Sequence, residues 1–84
     1  MKLDVYTKTI CPQCYPVKVY LKRNGIEHEL HNIEEDETAY NKVKELGFQS
    51  APVLILSDEN GIVKSSSGRN AALAIMEWHK GGLV

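Results

Sequence analysis

The chain predicts a single α/β domain, a four-stranded mixed sheet flanked by three helices. Three observations predict it. Val53 to Leu56 is a continuous apolar run, as expected of a strand buried on both faces. Apolar residues recur at helical spacing in three places: Cys14, Val17 and Leu21; Ala39, Val43 and Leu46; Ala71, Ile75 and Trp78. These stretches are interleaved with strand-like ones in the order strand, helix, strand, helix, strand, strand, helix. The first two strands, joined by a helix, should be parallel with a right-handed crossover. The last two are joined by a turn and should form an antiparallel hairpin. A chain of 84 residues holds one such core without extra staples, and no linker, repeat or low-complexity segment divides it.

Each element has its own justification. Leu3 to Tyr6 reads as the first strand, followed by a loop from Thr7 to Cys11. Pro12 suits the first position of a helix, where its missing N–H costs nothing. Lys22 and Arg23 favour the negative end of that helix's dipole, and Asn24-Gly25 ends it. Ile26 to Ile33 alternates, with Ile26, His28 and Leu30 on one face, and predicts a second strand. The acidic stretch Glu34-Glu35-Asp36-Glu37 suits a helix start, with Asp36 as its cap and solvated neighbours. Gly47 ends that helix. Asp58-Glu59-Asn60-Gly61 is a turn leading into a strand that begins at Ile62 and Val63. Ser65 to Gly68 is expected as a small-residue loop, with Asn70 capping the last helix and Gly81-Gly82 ending it.

Composition narrows the function. With 43% hydrophobic and 25% charged residues, the chain reads as an ordinary globular domain rather than a disordered segment. A net charge of −1 offers no electrostatic case for nucleic acid or an anionic membrane. No apolar run approaches the roughly 20 residues that a spanning helix needs. The first residues are too few and too polar for a signal peptide, so a cytoplasmic location is expected. Two cysteines do not make a disulfide scaffold; in a reducing compartment a close pair points to redox or metal chemistry.

That pair is Cys11-Pro12-Gln13-Cys14, placed after a strand and opening a helix. A thiolate at a helix start faces unpaired N–H groups and the positive end of the dipole, which lowers its pKa. Cys14 lies one turn on, within reach of a small disulfide ring. The reading is a dithiol redox centre. A structural zinc site wants about four ligands, and this motif supplies half of them. His28 and His31 point to opposite faces of the expected strand, and His79 stands alone. Two inert buried thiols fit poorly with a loop-to-helix junction.

The chain resembles the glutaredoxin family, which has a thioredoxin-like fold, over nearly its full length. The carrying pieces are Val5-Tyr6-Thr7-Lys8 before Cys11-Pro12-Gln13-Cys14, then Ser50-Ala51-Pro52-Val53, then Ser67-Gly68 before the last helix. Gln13-Cys14 and Ser67-Gly68 look closest to the NrdH-redoxin branch. That branch usually shows Trp-Ser-Gly-Phe-Arg where this chain has Ser66-Ser67-Gly68-Arg69. Glutathione-dependent members often carry an aromatic residue where Gln13 stands, and acids after the glycine where Asn70 and Ala71 stand.

The resemblance implies a thiol–disulfide oxidoreductase and electron carrier, with Cys11 and Cys14 catalytic and no resident cofactor or metal. It implies a cis bond before Pro52, leaving the Ala51 backbone to pair with an extended substrate. Lys8, three residues before Cys11, would favour a thiolate or an anionic substrate. Gln13 is expected to be exposed and to touch a partner or simply line the loop. Gly68, Arg69 and Asn70 would bind a carboxylate at the last helix, or Asn70 would only cap it. Tyr6 and Trp78 are assigned to packing. The implied partners are disulfide-bearing proteins, with ribonucleotide reductase the leading candidate, and thioredoxin reductase or glutathione as electron donor. A monomer is expected. The alternatives are a glutathione-dependent glutaredoxin and, from other classes, a metal-binding or non-catalytic binding module.

Overall fold

The computed structural model describes residues 1–84. The elements run β1 (Lys2–Thr7), α1 (Cys14–Arg23), β2 (Glu29–Asn32), α2 (Glu37–Glu45), β3 (Val53–Asp58), β4 (Gly61–Ser67) and α3 (Ala71–Lys80). A 3-10 turn, Gly68–Asn70, leads into α3. The strand order is β2-β1-β3-β4, so β1 and β3 are central. β1 and β2 are parallel, while β3 runs antiparallel to both β1 and β4. This is the expected four-stranded mixed sheet with three helices.

The central strands are buried on both faces and sort their side chains by alternation. Leu3, Val5, Leu54 and Leu56 join Val17 and Leu21 of α1 and Ala71, Ile75 and Trp78 of α3 in one cluster. Tyr6, Val53 and Ile55 face the other way and pack on Ala39 and Val43 of α2. The register places Val5 opposite Leu54 and Tyr6 opposite Val53, which keeps each set on its own side. Tyr20 Oη and His79 Nδ1, 2.9 Å apart, tie α1 to α3. Asp4 is the buried carboxylate of the sheet; His31 Nε2 meets its Oδ1 at 2.8 Å and Lys2 stands at 3.9 Å. Tyr6 stacks on the same His31 ring at 4.7 Å, so its place is in the packing.

Several element boundaries differ from expectation. Helix α1 starts at Cys14, not Pro12. The reason is Pro16, which has no N–H to donate to the carbonyl of Pro12, so the α-helical ladder cannot begin there. The Cys14 N–H instead closes a tighter turn on the Cys11 carbonyl at 3.1 Å. β2 is shorter than Ile26–Ile33. The Ile26 N–H closes the end of α1 on the Leu21 carbonyl at 3.0 Å, and its side chain joins the core. Leu30 does not share that burial: β2 is an edge strand, and Leu30 is 52% exposed.

Leu46 is likewise exposed, as the residue that caps the end of α2, leaving Ala39 and Val43 as the buried stripe. Ser65 to Ser67 are not a loop. They pair with Ile55, Leu54 and Val53 as the end of β4. Asp36 caps α2 as expected, its Oδ1 accepting the Ala39 N–H at 3.2 Å. Asn70 does not cap α3. It sits in the 3-10 turn with helical backbone angles, and its side chain makes no capping bond.

Candidate active site

Three segments meet at one end of the sheet: the loop after β1, the start of α1, and the Ser50-Ala51-Pro52 segment before β3. Cys11 and Cys14 are disulfide-bonded, with Cα atoms 5.2 Å apart. Their exposures differ. Cys14 is the first residue of α1 and is 1% exposed, whereas Cys11 is half-buried at the surface. A cysteine pair of this kind can be oxidised and reduced by two electrons without any other group.

A shallow cleft of about 250 Å³ is lined by Lys8, Ile10, Cys11, Pro12, Gln13 and Ala51. The structure thus gathers Lys8, Gln13 and Ala51 around the more exposed sulfur. Lys8 and Gln13 are exposed. Ile10 is 85% exposed directly beside Cys11. The sequence places Ile10 next to the motif, but its exposure has no local signature.

The Ala51–Pro52 peptide bond is cis, and Pro52 is fully buried. Its carbonyl accepts the Gly68 N–H at 2.9 Å. Ala51 is 8% exposed, yet neither its N–H nor its C=O is paired within the chain. Nearly all buried backbone groups find a partner, so these two are open to one from outside.

The segment from Ser67 onward is built differently from expectation. Gly68 takes a positive φ of 63°, and its N–H is already spent on Pro52. A Cβ there would lie 3.3 Å from Ser50 Cβ, so the close approach favours glycine. Gly68 therefore buttresses the Ser50-Ala51-Pro52 segment from behind. Arg69 and Asn70 are exposed and do not line the cleft around Cys11.

A further set of contacts holds the loop that carries Cys11. Glu34 Oε1 accepts the Thr9 N–H at 2.7 Å, and Asn32 Nδ2 donates to Thr9 Oγ1 at 3.2 Å. Asn32 Oδ1 in turn accepts the Glu34 N–H at 2.9 Å. Glu34 is thus more than a solvated acid before α2. The three histidines are engaged elsewhere: His28 with the Ile26 carbonyl, His31 with Asp4, and His79 with Tyr20.

The glutaredoxin family model matches residues 3–60. A glutaredoxin-like protein NrdH of Lactococcus lactis is 41% identical over 56 residues, which are 67% of this chain and 78% of that protein. NrdH of Escherichia coli is 29% identical over 58 residues, 69% of this chain and 72% of that protein. The solved structure of the Escherichia coli NrdH-redoxin superposes with a TM-score of 0.73 at 26% identity, covering 90% of this chain and 93% of that one. The chain therefore belongs to the glutaredoxin family, with the thioredoxin-like fold, and is a thiol–disulfide oxidoreductase.

Proposed function

We propose that the protein reduces disulfides in other proteins by a two-step exchange. The reduced Cys11 thiolate attacks one sulfur of the substrate disulfide; the substrate's other sulfur leaves as a thiolate and takes a proton. The Cys14 thiolate then attacks Cys11. This frees the second substrate thiol and leaves the Cys11–Cys14 disulfide, so two electrons pass to the substrate. The observation that carries this reading is the split in exposure, with Cys11 at the cleft and Cys14 at 1%. The start of α1 beside the pair favours the thiolate over the thiol. The open N–H and C=O of Ala51 suit main-chain pairing with an extended substrate segment. Lys8 and Gln13 flank the same cleft and would contact that segment.

The electron donor in this reading is thioredoxin reductase rather than glutathione. Glutathione presents two carboxylates and one ammonium. Lys8 and the exposed Arg69 suit carboxylates. The ammonium wants an acid, and after Gly68 the chain offers Arg69, Asn70 and a fully buried Ala71. A hydrogen bond to a charged group contributes roughly 1.5–3 kcal/mol, so its absence weakens binding by about one to two orders of magnitude. The Escherichia coli NrdH-redoxin, described as having a thioredoxin-like activity profile, supports the same choice. Ribonucleotide reductase is the leading substrate candidate, and the setting proposed is a monomer in the cytoplasm. No helix is long and apolar enough to cross a membrane.

The test is turnover of one protein disulfide with each donor system. Recycling by thioredoxin reductase, with little by glutathione plus glutathione reductase, is expected. Efficient recycling by glutathione alone would make the protein a glutathione-dependent glutaredoxin instead.

A further inference from the structure

A second groove adjoins the cleft at Cys11. It holds about 400 Å³ and shares two lining residues with that cleft, Lys8 and Ala51. The two hollows are therefore neighbours across one saddle. Val43 and Val53 lie in its lining at 4% and 2% exposure, with the partly buried Ile33 and Phe48 beside them. Phe48 is held by the end of α2, where its N–H donates to the Val43 carbonyl at 3.0 Å across Gly47, whose φ is 83°. Two lysines, Lys8 and Lys44, line the groove, and no aspartate or glutamate does. That local excess of positive charge contrasts with the net charge of −1 for the chain.

From this juxtaposition we infer that the groove selects among protein substrates. It takes an apolar side chain from within two residues of the substrate cysteine, and prefers an acidic neighbour there to a basic one. The inference rests on the disulfide-reductase reading above and adds a sequence preference to it. A segment paired with the Ala51 backbone is extended, so its side chains alternate between its two faces. With the substrate sulfur at Cys11, a nearby side chain on the segment falls over the neighbouring groove. A leucine-sized group covers Val43 and Phe48 there, while Lys8 and Lys44 meet the acid.

The experiment uses the reduced full-length protein and synthetic peptides. Each peptide carries one cysteine as a mixed disulfide with thionitrobenzoate. Cys11 attacks the peptide sulfur and expels thionitrobenzoate, the better leaving group because its thiol is the more acidic. Cys14 then displaces the peptide thiol. The peptides place Leu or Ser at one of the two positions on either side of cysteine, with Glu or Lys as the other neighbour.

The Leu/Glu peptides should react about tenfold faster than the Ser/Lys ones, the effect expected from burying one such side chain. Lys44→Glu, a surface change that spares the core, should reverse the preference between Glu and Lys. Phe48→Ser should flatten the preference between Leu and Ser. The readout is the ratio between peptides for each variant, so partial loss of activity does not confound it.

Rates that agree within about twofold across the series would overturn the inference. So would a preference that survives both substitutions, or a glutathione mixed disulfide that outruns every peptide. Failure to release thionitrobenzoate from any mixed disulfide, including that of free cysteine, would instead remove the underlying reductase reading.

Discussion

Gly68 donates its backbone N–H to the carbonyl of Pro52 at 2.9 Å, at the one place where a Cβ would crowd Ser50. The bond links the start of the last helical segment to the strand-leading segment that lines the Cys11 cleft. A non-glycine residue in the left-handed region is disfavoured by roughly 1–2 kcal/mol. Gly68→Ala is therefore expected to lower unfolding stability by about that amount, and more if Ser50 cannot yield. Urea denaturation checks it. A variant as stable as the parent would mean that the 3-10 turn adjusts freely, and the proposed buttress would fall.

Glu34 should act on Cys11 through Thr9. Its carboxylate holds the Thr9 N–H at 2.7 Å, two residues before the cysteine. Loss of one such bond is worth roughly 0.5–1.5 kcal/mol. Glu34→Ala should change the alkylation rate of reduced Cys11 by about threefold or more, while Glu34→Gln, which keeps an acceptor oxygen, should restore most of it. Identical rates for all three proteins would show that the loop keeps its shape without the clamp.

Tyr6 gives the fold an alkaline limit. Burial raises its hydroxyl above the ordinary value of 10.0, and the nearby charges of Asp4, then Asp36 and Glu29, raise it further. The folded state thus favours the protonated phenol more than the unfolded chain does. That contribution is complete below about pH 10 and is lost as pH rises through the higher folded value. Stability measured by denaturation should therefore decline above pH 10 partly through Tyr6. Tyr6→Phe should make the decline shallower. An unchanged slope in the variant would assign the alkaline loss to other groups.

Much of the architecture was legible because it rests on short-range periodicity. The helical spacing of Val17 and Leu21, and of Ala71, Ile75 and Trp78, marked faces that do meet in one core. The apolar run Val53 to Leu56 marked a central strand that is indeed buried on both sides. The departures have physical causes that a local pattern hides. Pro12 is a good first helical residue in isolation, but Pro16 denies it the bond that would make it one. Ser65 to Ser67 carry no apolar alternation because β4 lies at the sheet edge, so they read as a loop although they pair with Val53, Leu54 and Ile55.

Ile26 looked like strand and serves the end of a helix instead. In the site, Lys8 and Gln13 are neighbours of Cys11 in the sequence itself, whereas the place of Ala51, forty residues on, is implied only by the resemblance. The contact of Glu34 with Thr9 joins residues 25 apart in sequence and has no local signature. The same holds for the grip of Gly68 on Pro52.

The division of labour between the cysteines is the centre of the account. In the reduced protein Cys11 is the more accessible thiol and stands just ahead of the start of α1, whereas Cys14 is buried as its first residue, so limiting iodoacetamide should label Cys11 before Cys14. Predominant labelling of Cys14 in the peptide map would reverse the assignment.

The most direct measurement is covalent trapping of a protein disulfide substrate by the two single-cysteine variants, read on a non-reducing gel and by mass spectrometry. Cys14→Ser lacks the resolving thiol and should accumulate a mixed disulfide through Cys11. Cys11→Ser retains only a cysteine that is 1% exposed and should trap almost nothing. Equal trapping by both variants, or by neither, would contradict the two-step exchange.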